Sequence, residues 1–294
     1  MSRRSFLAGA GAVVATAGVA ATVGTTIGST TASARPRVRT VRESHRVVIV
    51  GSGFGGGVAA LRLAQAGVRV LVLERGRRWR TGPNATTFPD PTNPDKRILW
   101  CTSASQIFGR PISVEPYVGL LETVVGDNMT SVCAAGVGGG SLVYQGMTLQ
   151  PTRDVFEANF PAALDWPLMN RVHYPRVTRM LRLATAPDAL VNSPNYRASR
   201  HFAERVRQEG MPLSKIPMPI DWNFALAELQ GKMTPSYTTG DGQLGVNNGG
   251  KFSVDVTYIA AAEATGNATV RTHSNVTEIF RNRNGQWTVH VLSL

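Results

Sequence analysis

Four residues have the types and spacing to hold a dinucleotide. Gly51, Gly53 and Gly56 form a G-x-G-x-x-G run, and Glu74 follows 18 residues after the last glycine. In such a run the first glycine permits a tight turn. The second lets the backbone approach a pyrophosphate, and the third lets a helix pack closely on a strand. The helix N-terminus then offers free N–H groups and the positive end of its dipole to the phosphates. An acid about 20 residues on meets the ribose hydroxyls. A bare glycine run is weak grounds for this chemistry, because any glycine-rich turn shows one.

The flanking sequence supplies the missing context. Val47-Val-Ile-Val50 is a β-branched run leading into the glycines. Val58 to Ala66 follows helical periodicity and is closed by Gly67, and Val68 to Leu73 is a second apolar run ending on Glu74. Strand, glycine turn, helix, strand and acid make the unit a Rossmann-type one. At this point FAD and NAD remain equally open.

A second glycine-rich stretch follows at Gly136-Val-Gly138-Gly139-Gly140-Ser141. Four glycines in five positions suit neither a helix nor a strand interior. The apolar flanks Val132, Val137, Leu142 and Val143 argue for burial, so the run is expected to face a ligand. Arg75, Arg77, Arg78 and Arg80 follow Glu74; they would meet the cofactor phosphates or simply be solvated.

Of 294 residues 43% are hydrophobic and 17% charged, a globular balance with room for one large or two ordinary domains. The net charge of +12 invites a nucleic-acid reading, but residues 1–46 hold seven arginines and a single acid, half of that excess. The rest is spread without a dense basic run, which excludes a nucleic-acid interface as the leading reading. Cys101 and Cys133 are the two cysteines. They form no metal-type spacing, so no metal site is expected, and sequence leaves open whether they pair.

Ser2-Arg3-Arg4-Ser5-Phe6-Leu7, the small-residue apolar stretch after it, and Ala32-Ser33-Ala34 match a Tat export signal over 1–34, with 35–45 as linker. A membrane anchor is the alternative, weakened by the many Gly and Thr residues. Residues 46–150 and 246–294 are assigned to the cofactor-binding domain and 151–245 to an inserted substrate or cap domain. Helical patterns are expected over 172–183, 201–208 and 253–262, and strands near 268–272, 276–280 and 286–292. His173 reads as structural. Trp222 and Phe224 would line an apolar pocket or sit in a core.

Taken together, the two glycine motifs resemble the glucose–methanol–choline family of flavin oxidoreductases. More narrowly, the chain is similar to the cholesterol oxidases that hold FAD noncovalently. The narrower likeness rests on Asn93–Arg97 with Trp100, Pro116-Tyr117 with Gly119-Leu120, Gly136–Val143, Gly146-Met147, Met180–Arg182, Asn247-Asn248, Gly250-Lys251, Asp255 and Thr257-Tyr258. The resemblance implies an α/β Rossmann-like FAD-binding domain with an inserted α+β cap, and noncovalent FAD as cofactor. Gly51, Gly53 and Gly56 would face its pyrophosphate and Glu74 its ribose. Gly139, Gly140 and Ser141 would lie near the pyrophosphate and flavin, Met147 near the flavin ring, and the backbone of Val276 near the adenine.

The implied reaction is oxidation of a sterol or other secondary alcohol with oxygen as acceptor. The substrate would be drawn from a membrane surface by a monomer. The catalytic His and Asn of that family would lie beyond residue 294, so the resemblance also implies a chain truncated at its C-terminus; an inactive FAD-binding fragment and another alcohol oxidase of the family are the alternatives. Tyr144 stands where the family often carries Asn or His, and Gln145 where cholesterol oxidases often have Gly.

Overall fold

The computed structural model describes residues 39–83, 85–93, 95–101, 105–107, 110–112 and 117–294, with backbone alone over 101–116. The expected signal segment 1–34 lies outside the described residues, as does Pro116. Residues 44–294 form one compact unit, and residues 39–43 carry no regular secondary structure.

At the centre is a three-stranded parallel sheet. Strand β1 (Val47–Val50) pairs with β2 (Val70–Leu73), with Val47 opposite Val70 and Val50 opposite Leu73. A far strand of the chain, Ala268–Arg271, adds to the other side of β2, placing Ala268 opposite Val70. All four residues of β2 are buried, which is why it reads as an unbroken Val/Leu run rather than an alternation. Helix α1 (Phe54–Gln65) connects β1 to β2 and packs against the segment 255–264. Ala60, Leu61, Ala64, Val70, Val72, Val254, Tyr258, Ile259 and Ala262 make the core between them.

The middle of the chain supplies the second glycine run. A hairpin, β3 (Leu121–Val125) with β4 (Thr130–Ala134), leads directly into it. Trp79 fixes its base: the ring stacks on Phe88 at 5.3 Å and donates from Nε1 to the Ala135 carbonyl at 3.2 Å. Cys133, on β4, carries a free thiol.

Residues 151–245 are largely helical: α2 (Arg153–Asn159), α3 (Tyr174–Met180), α4 (Arg197–Gln208) and α5 (Trp222–Leu229). The expected helices over 172–183 and 201–208 correspond to α3 and α4, with shifted ends. The segment expected as one helix over 253–262 instead opens with a wide π turn, Asp255–Ile259, before the α-helical turn α6 (Ala260–Ala264). The Ile259 N–H bonds the Val254 carbonyl five residues back at 2.9 Å. Strand β5 (Ala268–Arg271) then completes the sheet, and β6 (Ser274–Arg281) and β7 (Trp287–Ser293) form a hairpin close to the expected bounds.

Candidate functional site

The turn between β1 and α1 is anchored at both ends. Gly51, at φ +83°, donates its N–H to the Leu73 carbonyl at the end of β2, at 2.8 Å. A Cβ on Gly56 would stand 1.9 Å from the Gly51 carbonyl oxygen, so only glycine lets α1 begin so close to the turn. The first turn of α1 carries no capping side chain and no acid. Its N–H groups are therefore offered outward to an anion.

Glu74 lies directly beneath this turn, only 5% exposed. Its Oε2 accepts from the Ser52 N–H at 3.0 Å and from the Ser52 hydroxyl at 2.6 Å, and its Oε1 accepts from the Gly76 N–H at 2.9 Å. The Ser52 hydroxyl also accepts from the Gly138 N–H at 3.1 Å. One fully buried serine thus ties the first glycine turn, the acid and the second glycine run together. The sequence reading passed over it, since a serine among glycines carries no signal and its partners lie 22 and 86 residues away.

The second run meets the first backbone to backbone. Gly138 and Gly139 both have left-handed φ, +105° and +53°, and lead a single 3₁₀ turn, Gly139–Leu142. A Cβ on Gly139 would come within 2.8 Å of the Gly53 Cα. At Gly55 and Gly140 a Cβ would meet nothing within 4 Å. The two loops therefore touch at Gly53 and Gly139 and carry bare, open backbone at these two positions. That geometry suits a flat or phosphate-bearing ligand.

Ser141 is buried and its hydroxyl points inward. It donates to the Gly138 carbonyl at 2.7 Å and accepts from the Val254 N–H at 2.8 Å. Its side chain holds the loop in shape and has no free donor for a ligand. Met147 is 61% exposed. Val276 lies on β6 in register with Val291, beside a bulge, and is not among the residues that the two loops bring together.

Three of the four arginines after Glu74 prove to be packing residues, and Arg80 is exposed. Arg75 pairs with Glu122 and lies over the Trp100 ring. Arg77 sits over the rings of Trp79 and Tyr117, and Arg78 pairs with Glu263 at 2.7 Å. Trp222 likewise takes the core reading: it packs with Leu190, Ile220 and Ala225 and donates to the Ala184 carbonyl at 3.1 Å. Phe224 packs on Gly250. His173 is exposed.

Lys251 is 5% exposed, and its ammonium reaches three carbonyls: Leu142 at 3.0 Å, Tyr144 at 2.6 Å and Gly242 at 3.1 Å. It thereby fastens the exit of the second glycine loop to the segment around 242. Burial pushes this amine down to about 7, while the nearby Asp255 pulls it up. Asp255 is itself pushed up from the ordinary carboxylate range by burial, opposed by a hydrogen bond from Ser253. In the helical region Glu228 is a buried hub. It accepts from the N–H groups of Ser236, Tyr237 and Thr238, from the Thr238 hydroxyl and from the Asn248 amide. Among the described residues no group of three or more His, Cys, Asp or Glu side chains converges on a point.

Comparison with known proteins agrees with this geometry. The NAD(P)-binding Rossmann-like domain family matches residues 49–117. A cholesterol oxidase of Mycobacterium tuberculosis (strain ATCC 25618 / H37Rv) is 28% identical over 274 residues, covering 86% of this chain and 43% of that protein. A cholesterol oxidase of Acinetobacter baumannii is 33% identical over 135 residues, 46% of this chain and 22% of its own. An uncharacterized GMC-type oxidoreductase of M. tuberculosis is 41% identical over 69 residues, 24% of this chain and 11% of its own. The chain thus spans less than half the length of these relatives. By sequence the chain is similar to cholesterol oxidases and GMC-type oxidoreductases, and its glycine turn is Rossmann-like.

Proposed function

We propose that the chain binds FAD noncovalently between its two glycine loops and serves the oxidation of an alcohol CH–OH group, a sterol hydroxyl in the first instance, with oxygen as acceptor. One observation carries this reading. The Gly51–Gly56 turn and the Gly136–Gly140 run, about 85 residues apart in sequence, meet at Gly53 and Gly139 and turn their bare backbones, at Gly55 and Gly140, to open space. A turn with no partner would account for the first loop alone. The second loop gives the cradle an extra wall, and the likeness to GMC-type oxidoreductases favours FAD over NAD as its ligand. The relatives' names support the alcohol and sterol parts of the reading.

Within that reading each residue has a distinct task. The N–H groups at the start of α1 would face the pyrophosphate. Glu74, oriented by Ser52 and Gly76, would take the ribose hydroxyls. Gly139 and Gly140 would approach the dinucleotide through their backbones, Met147 would lie by the flavin and Val276 by the adenine. When bound, FAD supplies a hydride acceptor for the carbinol carbon. The chain's own contribution is binding, orientation and exclusion of water by the loops and by the helices of 151–245, which we assign to the substrate side. The sterol reading also brings a transient contact with a membrane surface and a monomeric protein, and the twin-arginine segment brings export by the Tat route.

The test is the visible spectrum of the purified full chain. The proposal predicts bound flavin, seen as absorbance near the ordinary flavin bands that survives desalting. Colourless protein that takes up no added FAD overturns it. Peroxide formation with cholesterol against a series of simpler alcohols then separates a sterol oxidase from another alcohol oxidase, and bound flavin without turnover marks a FAD-binding unit.

A further inference from the structure

The second glycine loop is held from behind by one short stretch, residues 251–255. At the loop's entry Asp255 packs against Gly138, where a Cβ would stand 3.2 Å from the Asp255 Cβ. At its middle the Ser141 hydroxyl accepts from the Val254 N–H. At its exit Lys251 gathers the carbonyls of Leu142 and Tyr144. The same ammonium reaches the Gly242 carbonyl. The backbone on either side of Lys251 pairs with the chain that leads into α5: Phe252 donates to the Pro219 carbonyl and Asp221 to the Gly250 carbonyl, both at 2.8 Å.

These bonds act on the cradle through the peptides between. A trans peptide points its N–H opposite to its carbonyl. With the Leu142 carbonyl drawn to Lys251, the Val143 N–H turns to the Gly140 carbonyl at 3.2 Å, and the Tyr144 N–H meets the same carbonyl at 3.0 Å. Gly140 is where the loop carries bare, open backbone, so the buried amine sets the cradle without touching it. Three groups that carry or could carry charge face that amine. Asp255 attracts it from the π turn. The Tyr144 ring lies 4.8 Å away, and burial pushes its phenol up to about 12, so it stays neutral. Asp241, beside Gly242, spends its carboxylate on the Ser236 hydroxyl.

We propose that Lys251 is a positioning residue for the cofactor, whose ammonium fixes the exit of the second glycine loop, and with it Gly140, in the shape that accepts the dinucleotide. The inference rests on the FAD reading above and adds to it a requirement that neither glycine motif contains. An ammonium has three N–H donors, one for each carbonyl, and a neutral amine has two. Burial brings the amine down to about 7, so the grip is complete below that pH and one carbonyl loses its donor above it.

FAD dissociation constants are measured by quenching of flavin fluorescence between pH 6 and 9 for the full chain, Lys251→Met and Lys251→Arg, with thermal melting of each FAD-free protein. The parent is expected to lose affinity roughly threefold to tenfold across that range, the effect of one hydrogen bond. Lys251→Met is expected to bind more weakly than the parent at pH 6 and to show no fall with pH. Lys251→Arg keeps a charge that does not titrate here and is expected to lose the fall as well, which keeps the test decisive where the methionine variant does not fold. A flat parent profile overturns the inference. So does a folded variant that keeps the parent's dissociation constants and pH profile, since a lysine that serves the fold alone would change melting and leave both untouched. Failure of the parent to bind FAD at pH 6 sinks the FAD reading itself and is seen before the variants are compared.

Discussion

At the scale of single residues, the site depends on glycines that cannot be replaced and on the buried side chains of Ser52, Glu74, Ser141 and Lys251, which bind backbone groups. Gly139 combines a left-handed φ with a Cβ position 2.8 Å from the Gly53 Cα. Gly139→Ala is therefore expected to force the two loops apart, at a cost of about 1–3 kcal/mol of backbone strain and at least a tenfold loss of FAD affinity, measured by thermal melting and fluorescence titration. Lys251 makes a prediction about pH. In the folded chain its amine releases its proton near 7, whereas the unfolded chain holds it to the ordinary value of 10.5. Between these limits unfolding takes up a proton, so raising the pH penalises the unfolded state and this residue's contribution to stability rises. Lys251→Met is expected to lower stability overall, since three carbonyls lose their donor, and to remove that rise from the pH dependence of urea unfolding between pH 7 and 10.

The same residues show what a sequence displays and what it conceals. Gly51, Gly56 and Glu74 were legible because their spacing is fixed by local geometry within one strand–turn–helix–strand unit. Ser52 was not, because its value comes from Gly138, which only the folded chain brings near. The resemblance places Ser141 near the cofactor, and only the fold shows that its hydroxyl is spent inside on Gly138 and Val254. The roles of Arg75 and Arg78 are not legible in sequence, because only the fold reveals Glu122 and Glu263 as their partners.

At the scale of elements, strands declared themselves through apolar runs, whereas helix ends and short helices did not. Helix α5 begins at Trp222, shortly after the prolines at 217 and 219, which mask its start. The signal for it is Asp221, whose carboxylate accepts from the Asn223 N–H at 3.1 Å as an N-cap. The π turn at Asp255–Ile259 could not be read from periodicity, since one extra residue per turn shifts the pattern only slightly. Two elements meet through Ser141, which joins the 3₁₀ turn of the second glycine loop to the start of that π turn. Ser141→Ala should leave the Val254 N–H buried without an acceptor, lowering stability by about 1–3 kcal/mol in a urea titration. Glu228 does the equivalent work for α5. Glu228→Ala strips the acceptor from three backbone N–H groups, a hydroxyl and an amide at once. Proteolysis is expected to open first between 228 and 248 in that variant, read by mass spectrometry of the fragments.

At the scale of the whole molecule, residues 44–294 form one unit in which the parallel sheet carries the site and the helices of 151–245 are stitched to it by Lys251. Within that unit the strand from the far end of the chain, β5, seals the sheet against β2. The cradle therefore depends on residues more than 200 positions apart. Ahead of this unit the twin arginine is proposed to direct export; replacing Arg3 and Arg4 together with lysine is expected to hold the protein in the cytoplasm, scored by cell fractionation. The central claim concerns the cradle itself, and the most direct measurement is a parallel titration of the purified, FAD-stripped full chain with FAD and with NAD, followed by fluorescence and by the shift in melting temperature. The account predicts saturable FAD binding that raises the melting temperature, weakened in Gly139→Ala, with no comparable response to NAD. A folded chain that ignores FAD, or that binds NAD more tightly, would contradict it.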